Sequence, residues 1–107
     1  MPVIRVDFDN WKVTQEEIIL LSEITRKIVI NTTHIEDVFV YANSSEIKIA
    51  IAPIEIFIQM SAHKIKDEEL LIADIKNRLT EWKQNTNFPH KINFSFIPMN
   101  WKIEIWI

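Results

Sequence analysis

The chain carries one structural pattern twice, and this repeat is the feature that most restricts its fold. Each copy begins at a proline, continues as an alternating apolar strand and an amphipathic helix, and returns to a strand after a histidine. The first copy contains Pro2 and His34, and the second contains Pro53 and His90. A strand–helix–strand unit makes a right-handed crossover that places its two strands parallel. Two such units side by side predict an α+β fold, a four-stranded mixed sheet with both helices on one face.

The spacing of apolar residues places the elements along the chain. Alternation predicts strands, and apolar residues three and four positions apart predict helices. Thr14 and Glu17 form a capping-box pattern that marks the start of the first helix. The predicted order is a strand over 3–8, a helix over 14–30, strands over 35–42, 46–52 and 54–60, a helix from about 67 to 83, and strands over 91–97 and 101–107. The length and the lack of a linker predict a single domain over residues 1–107.

Two residue types are absent, and their absence excludes several kinds of site. Without cysteine there can be no disulfide, thiolate metal site or cysteine nucleophile. Without glycine there is no Gly-rich phosphate loop and no dinucleotide fingerprint. The histidines lack further ligands at suitable spacing, so no metal site is predicted. His34 and His90 are better interpreted as hydrogen-bonding turn residues, and Glu55 as the cross-strand partner of Lys48 or Lys102.

The distribution of charge and hydropathy restricts the partners. The net charge is −3 with both signs interspersed, so no basic patch indicates a nucleic-acid partner. No apolar run approaches the roughly 20 residues of a membrane span, and no charged leader precedes an apolar core. We therefore expect a cytoplasmic protein without nucleic-acid or membrane partners.

Aromatic residues lie on the strand faces opposite the aligned aliphatic side chains. Phe39, Tyr41, Phe57 and Trp106 belong to this set. Two helices can cover only one side of a sheet, and a sheet whose other face is exposed to solvent would carry polar side chains on that face. Apolar groups on both faces indicate a second buried surface, which is most simply supplied by further copies of the chain. The sequence therefore predicts an oligomer.

The Met1-Pro2 start on a strand, the duplicated plan and the length together resemble the tautomerase superfamily, which includes 4-oxalocrotonate tautomerase and macrophage migration inhibitory factor. The segment from Pro53 to Lys83 looks most like an uncharacterised bacterial branch. The resemblance implies a homotrimer with sites between subunits, each centred on an N-terminal proline. It also implies proton transfer in the tautomerisation of a small carbonyl acid, without a cofactor.

The resemblance assigns the catalytic role to Pro2. Removal of Met1 would leave a secondary amine, and burial in an apolar pocket would lower its pKa toward the range that proton abstraction beside a carbonyl needs. In several family members, arginines just before the second helix bind the substrate carboxylate. The matching stretch here, residues 61–66, offers His63 and Lys64 instead, and these are the predicted substrate-binding residues.

Two further interpretations stay open. A non-catalytic oligomeric binding module could be built on the same scaffold or on a ferredoxin-like one, because a fold does not determine a function. Alternatively, the chain could be a subunit that pairs the edge of its sheet with another protein.

Overall fold

The computed structural model describes residues 1–107 and contains four strands and two long helices. These are β1 Val3–Phe8, α1 Gln15–Thr33, β2 Phe39–Asn43, β3 Ile54–Ser61, α2 Glu68–Thr86 and β4 Asn93–Met99, with a 3-10 turn at Ala62–Lys64 between β3 and α2. The strand order is β2-β1-β3-β4. Strand β1 is parallel to β2, β3 is parallel to β4, and the two central strands are antiparallel. The predicted four-stranded mixed sheet, made of two parallel-paired halves, is confirmed.

The core lies between one face of the sheet and both helices. Ile4 and Ile58 face each other across the central strands and are fully buried. Leu21 from α1 and Ile75 from α2 pack into the same cluster. Both helices therefore bury their apolar stripes on one side of the sheet, as the repeat predicts. No helix is long and apolar enough to cross a membrane.

The opposite face of the sheet is mixed in character. Tyr41, Arg5 and Phe57 form one row across β2, β1 and β3. The Arg5 guanidinium lies 4.4 Å from the centre of the Phe57 ring and 3.3 Å from the Asp7 carboxylate. Tyr41 and its neighbour in the next row, Phe39, are about half exposed. Neither helix covers this face, and the Trp106 ring of the C-terminal segment packs against Phe39 with the ring centroids 5.7 Å apart.

The helix ends show how a chain without glycine makes its turns. The Thr14 hydroxyl accepts from the Glu17 backbone N–H at 3.2 Å, and the Glu17 carboxylate accepts from the Thr14 N–H at 2.9 Å, so the predicted capping box is present. His34 and Asn87 end the helices in the left-handed region, at φ 58° and φ 53°. Asparagine tolerates this region better than most residues. The predicted turn role of His34 is confirmed as a helix C-cap.

Two predicted strands do not form. The segments 46–52 and 101–107 alternate in sequence but have no strand partner within the chain. The alternation of apolar and polar residues indicates which side chains would share a face. A strand also needs a neighbouring strand whose backbone N–H and C=O groups are free to form hydrogen bonds. Strand β2 begins at Phe39, four residues later than predicted. Strand β4 continues through Pro98, which is tolerated because β4 lies at the edge of the sheet.

The predicted partner of Glu55 is also wrong. Glu55 lies opposite Asp7 and Asn93 in the register of the sheet. Lys48 instead pairs with Asp9 at 3.4 Å and lies over the Trp11 ring, 4.4 Å from its centre. The cause is the missing strand at 46–52, because Lys48 lies in a loop beyond the end of β1 rather than beside β3.

Two carboxylates have pKa values below their ordinary range. The hydrogen bond from the Trp11 backbone N–H, aided by Lys48, lowers the pKa of Asp9 against the opposing effect of burial. The capping bond from the Thr14 N–H, aided by His90 at 2.8 Å, lowers the pKa of Glu17 in the same way. Both groups stabilise the fold above their ordinary pKa values, and this contribution is lost as the pH falls through the lowered values.

We therefore expect the urea midpoint to fall between about pH 7 and pH 3, and to fall less steeply in Asp9→Asn and Glu17→Gln. Urea unfolding followed by circular dichroism at several pH values measures this. Glu16→Gln is the matched control, because Glu16 lies in the same helical turn without a hydrogen-bonded partner. If all three variants lose stability with the same pH dependence as the wild type, these pairs do not cause the acid sensitivity.

Candidate functional site

A polar cavity of about 400 Å³ lies at the end of the sheet where β1 begins and β3 ends. It is lined by Met1, Ile35, Asp37, Ser61, His63, Lys64, Trp101, Lys102, Ile103 and Glu104. The N-terminus, the 3-10 turn after β3 and the C-terminal segment after β4 therefore meet at one place.

The start of β1 places the N-terminus in this cavity. Pro2 is buried, and its carbonyl accepts a hydrogen bond from the Phe39 N–H at 3.1 Å, which ties the first residue before β1 to β2. Met1 lines the cavity, and its amine lies 3.3 Å from a carboxylate oxygen of Glu104. Because Met1 precedes it, the Pro2 nitrogen is an amide here, and Pro2 is not among the residues that line the cavity.

Both predicted substrate-binding residues line the same cavity as the N-terminus. His63 and Lys64 follow β3 in the 3-10 turn, and both are exposed. The buried hydroxyl of Ser61 lies 2.8 Å from His63 Nδ1, within hydrogen-bond distance. This contact fixes the imidazole ring beside the cavity. The fold thus brings the chain terminus and the two candidate cations together from positions about sixty residues apart in sequence.

Sequence reasoning missed most of the remaining lining. Trp101, Lys102 and Glu104 were assigned to a closing strand, and nothing in their spacing places that segment across the start of β1. Asp37 lies just before β2 in a stretch that alternation had assigned to the strand itself. Ser61 belongs to the stretch that the family resemblance marked, so its position beside His63 is the one signal that was available.

The cavity carries cationic side chains beside the two carboxylates that line it. Lys64 and Lys102 supply positive charge, and His63 supplies more when it is protonated. The indole N–H of Trp101 is buried and has no hydrogen-bond partner. A buried donor without a partner is costly to the fold. The structure contains no group of three or more His, Cys, Asp or Glu side chains that could hold a metal ion.

No protein-family model and no curated protein matches the chain. Solved structures do match it. A macrophage migration inhibitory factor-like protein from Entamoeba histolytica has a TM-score of 0.63 and 16% identity, over 92% of this chain and 89% of its own. A fused 4-OT described as a symmetric trimer has a TM-score of 0.65 and 11% identity, over 92% and 85%.

A third solved structure widens the range of activities found on this architecture. Malonate semialdehyde decarboxylase, described with decarboxylase and hydratase activities, has a TM-score of 0.63 and 11% identity, over 96% of this chain and 91% of its own. At such low identities the similarity establishes the architecture, and nearly the whole length of each chain takes part in it. The chain therefore has the fold seen in tautomerase-type structures, and the fold that the resemblance implies is confirmed.

Proposed function

We propose that the chain, as a single domain, is a cofactor-independent tautomerase or isomerase that acts on a small carbonyl acid in the cytoplasm. Pro2 is the proton-transferring residue once Met1 has been removed, and His63 and Lys64 bind the anionic end of the substrate. The observation that carries the proposal is that the N-terminus, His63 and Lys64 line one cavity on a tautomerase-type fold.

The chemistry of a terminal proline supports its role. A secondary amine in water is protonated at neutral pH and is a poor base. Burial disfavours the charged form and lowers the pKa, and Pro2 is buried. A neutral nitrogen beside the cavity can accept a proton from the carbon next to a carbonyl and return it to another position. Developing negative charge on the substrate oxygen needs a hydrogen-bond donor or a cation.

The proposed anion-binding residues include no arginine, unlike the arginines that bind the substrate carboxylate in several members of the tautomerase superfamily. Arg5 lies on the face of the sheet opposite the helices, where its guanidinium packs over the Phe57 ring. It does not line the cavity. Lys64 and Lys102 provide point charges without the bidentate geometry that arginine offers to a carboxylate. Separate lysine charges of this kind favour a small substrate whose carboxylate is held by several single contacts.

We also infer that the protein is a homotrimer. Ile47 and Ile49, in the segment 46–52, are 86% and 98% exposed in the single chain. Phe39 and Tyr41, on the face of the sheet opposite the helices, are about half exposed as well, although Trp106 packs against Phe39. Apolar surface of this extent is characteristic of an interface, and the similar fused 4-OT is described as a symmetric trimer.

The proposal is tested by the intact mass of protein made at its natural level, followed by assays of phenylpyruvate and 2-hydroxymuconate tautomerisation. We expect the mass of a chain without Met1, together with turnover well above the buffer rate. Retention of Met1, or a trimmed protein without turnover, would instead support the non-catalytic binding module, in which the cavity binds an anion without converting it.

A further inference from the structure

One carboxylate in the cavity lies directly against the terminal amine. The Met1 nitrogen and the nearer carboxylate oxygen of Glu104 are 3.3 Å apart. The two side chains are 21% and 28% exposed, so solvent still reaches the pair. Glu104 comes from the C-terminal segment, more than one hundred residues away in sequence, and is not one of the proposed substrate-binding residues.

The other charged groups around the amine do not pair with it. Asp37 lines the same cavity but forms no ion pair, and Lys64 and Lys102 carry the same sign of charge as the amine. His63 is engaged by the Ser61 hydroxyl. Among the groups that face the cavity, Glu104 is therefore the one whose charge is placed to act on the terminal nitrogen.

Removal of Met1 transfers the terminal positive charge to the next nitrogen. Consecutive residues are only about 3.8 Å apart along the chain, so the Pro2 nitrogen comes within reach of the same carboxylate. We propose that Glu104 is a positioning residue, whose carboxylate pairs with the Pro2 nitrogen of the trimmed chain and favours the protonated form of that nitrogen. This inference rests on the proposed role of Pro2.

Two effects then oppose each other at Pro2. Burial of the ring favours the neutral amine, and the carboxylate of Glu104 favours the ammonium. An opposite charge within about 4–6 Å changes a pKa by about 1–3 pH units. The charge of Glu104 therefore influences whether the Pro2 nitrogen is protonated, and acts as a proton donor, or is neutral, and acts as a base, near neutral pH.

The test is a ¹⁵N NMR titration of Pro2 in chains that begin at Pro2, prepared by cleaving a removable tag and verified by intact mass. We expect Glu104→Gln to lower the pKa of Pro2 by about 1–3 pH units. In the proton-abstracting direction, the acid limb of kcat/KM should move to lower pH by the same amount, because the neutral nitrogen then appears at lower pH. A purely structural role for Glu104 would leave the position of this limb unchanged.

Asp37→Asn is the matched control, because it removes the other cavity carboxylate. The titration of Pro2 in this variant should stay close to the wild type. An unchanged titration in Glu104→Gln, or an equal change in both variants, would overturn the inference. The NMR titration requires no turnover, so the protonation state can be measured even if the tautomerase proposal fails.

Discussion

Replacing Pro2 with alanine is expected to lower kcat/KM for phenylpyruvate tautomerisation by about 10²–10⁴-fold, the usual contribution of a positioned proton-transfer group. Alanine keeps the backbone carbonyl that binds the Phe39 N–H, so β1 should still pair with β2. What is lost is the ring that fixes the direction of the nitrogen lone pair, because the primary amine of alanine rotates freely and is more strongly hydrated. Steady-state kinetics on the trimmed variant measures the effect.

Pro53→Ala is the matched control. Pro53 begins the second copy of the repeat but is internal, so its nitrogen is always an amide, and its carbonyl bond to the Asp9 N–H at 3.0 Å survives the substitution. This variant should keep wild-type activity. Inserting lysine between Met1 and Pro2, which blocks trimming and makes the Pro2 nitrogen an amide, should reduce activity to the background rate. Full activity in Pro2→Ala would rule out a catalytic proline.

Much of the fold could be predicted because it depends on local chemistry. The Thr14 capping box and the core-facing alternation of β1 and β3 each follow from residues near in sequence. The parallel pairing within each half follows from the handedness of the crossover. The prediction of these features does not depend on the positions of segments that are distant in sequence.

The failures have a common physical cause. The segments 46–52 and 101–107 have strand-like patterns, but β1 and β3 are already paired on both sides. Only the outer edges of β2 and β4 remain open, and the chain does not bring either segment to them as a strand. Hydrophobic alternation thus identified segments able to pair, without identifying a partner.

The candidate site was predictable only in part for the same reason. His63 and Lys64 are predicted because the family resemblance marks the stretch just before the second helix as the anion-binding position. Glu104 and Trp101 reach the cavity because the last residues of the chain cross the start of β1. Such a contact depends on the path of the C-terminal segment in space, and no spacing in the sequence encodes it.

The segment 46–52 provides the sharpest test of the assembly. Ile49 is 98% exposed in the single chain, so aspartate at this position should leave the folding of one subunit unchanged. Burying an isoleucine side chain contributes about 1.5–3 kcal/mol, and a trimer contains the substitution three times. Ile49→Asp should therefore weaken the assembly by roughly 10³-fold or more. Size-exclusion chromatography with light scattering should show a trimer for the wild type at micromolar concentration and a monomer for the variant.

Leu70→Asp is the control for a general surface effect. Leu70 is 66% exposed but lies in the first turn of α2, on the helix layer, where a negative charge is favoured by the helix dipole. This variant should remain a trimer, and circular dichroism should show that both variants are folded. A wild-type protein that is monomeric at micromolar concentration would contradict the proposed assembly. If Ile49→Asp stays trimeric, the subunits do not meet through the segment 46–52, and its exposed isoleucines need another explanation.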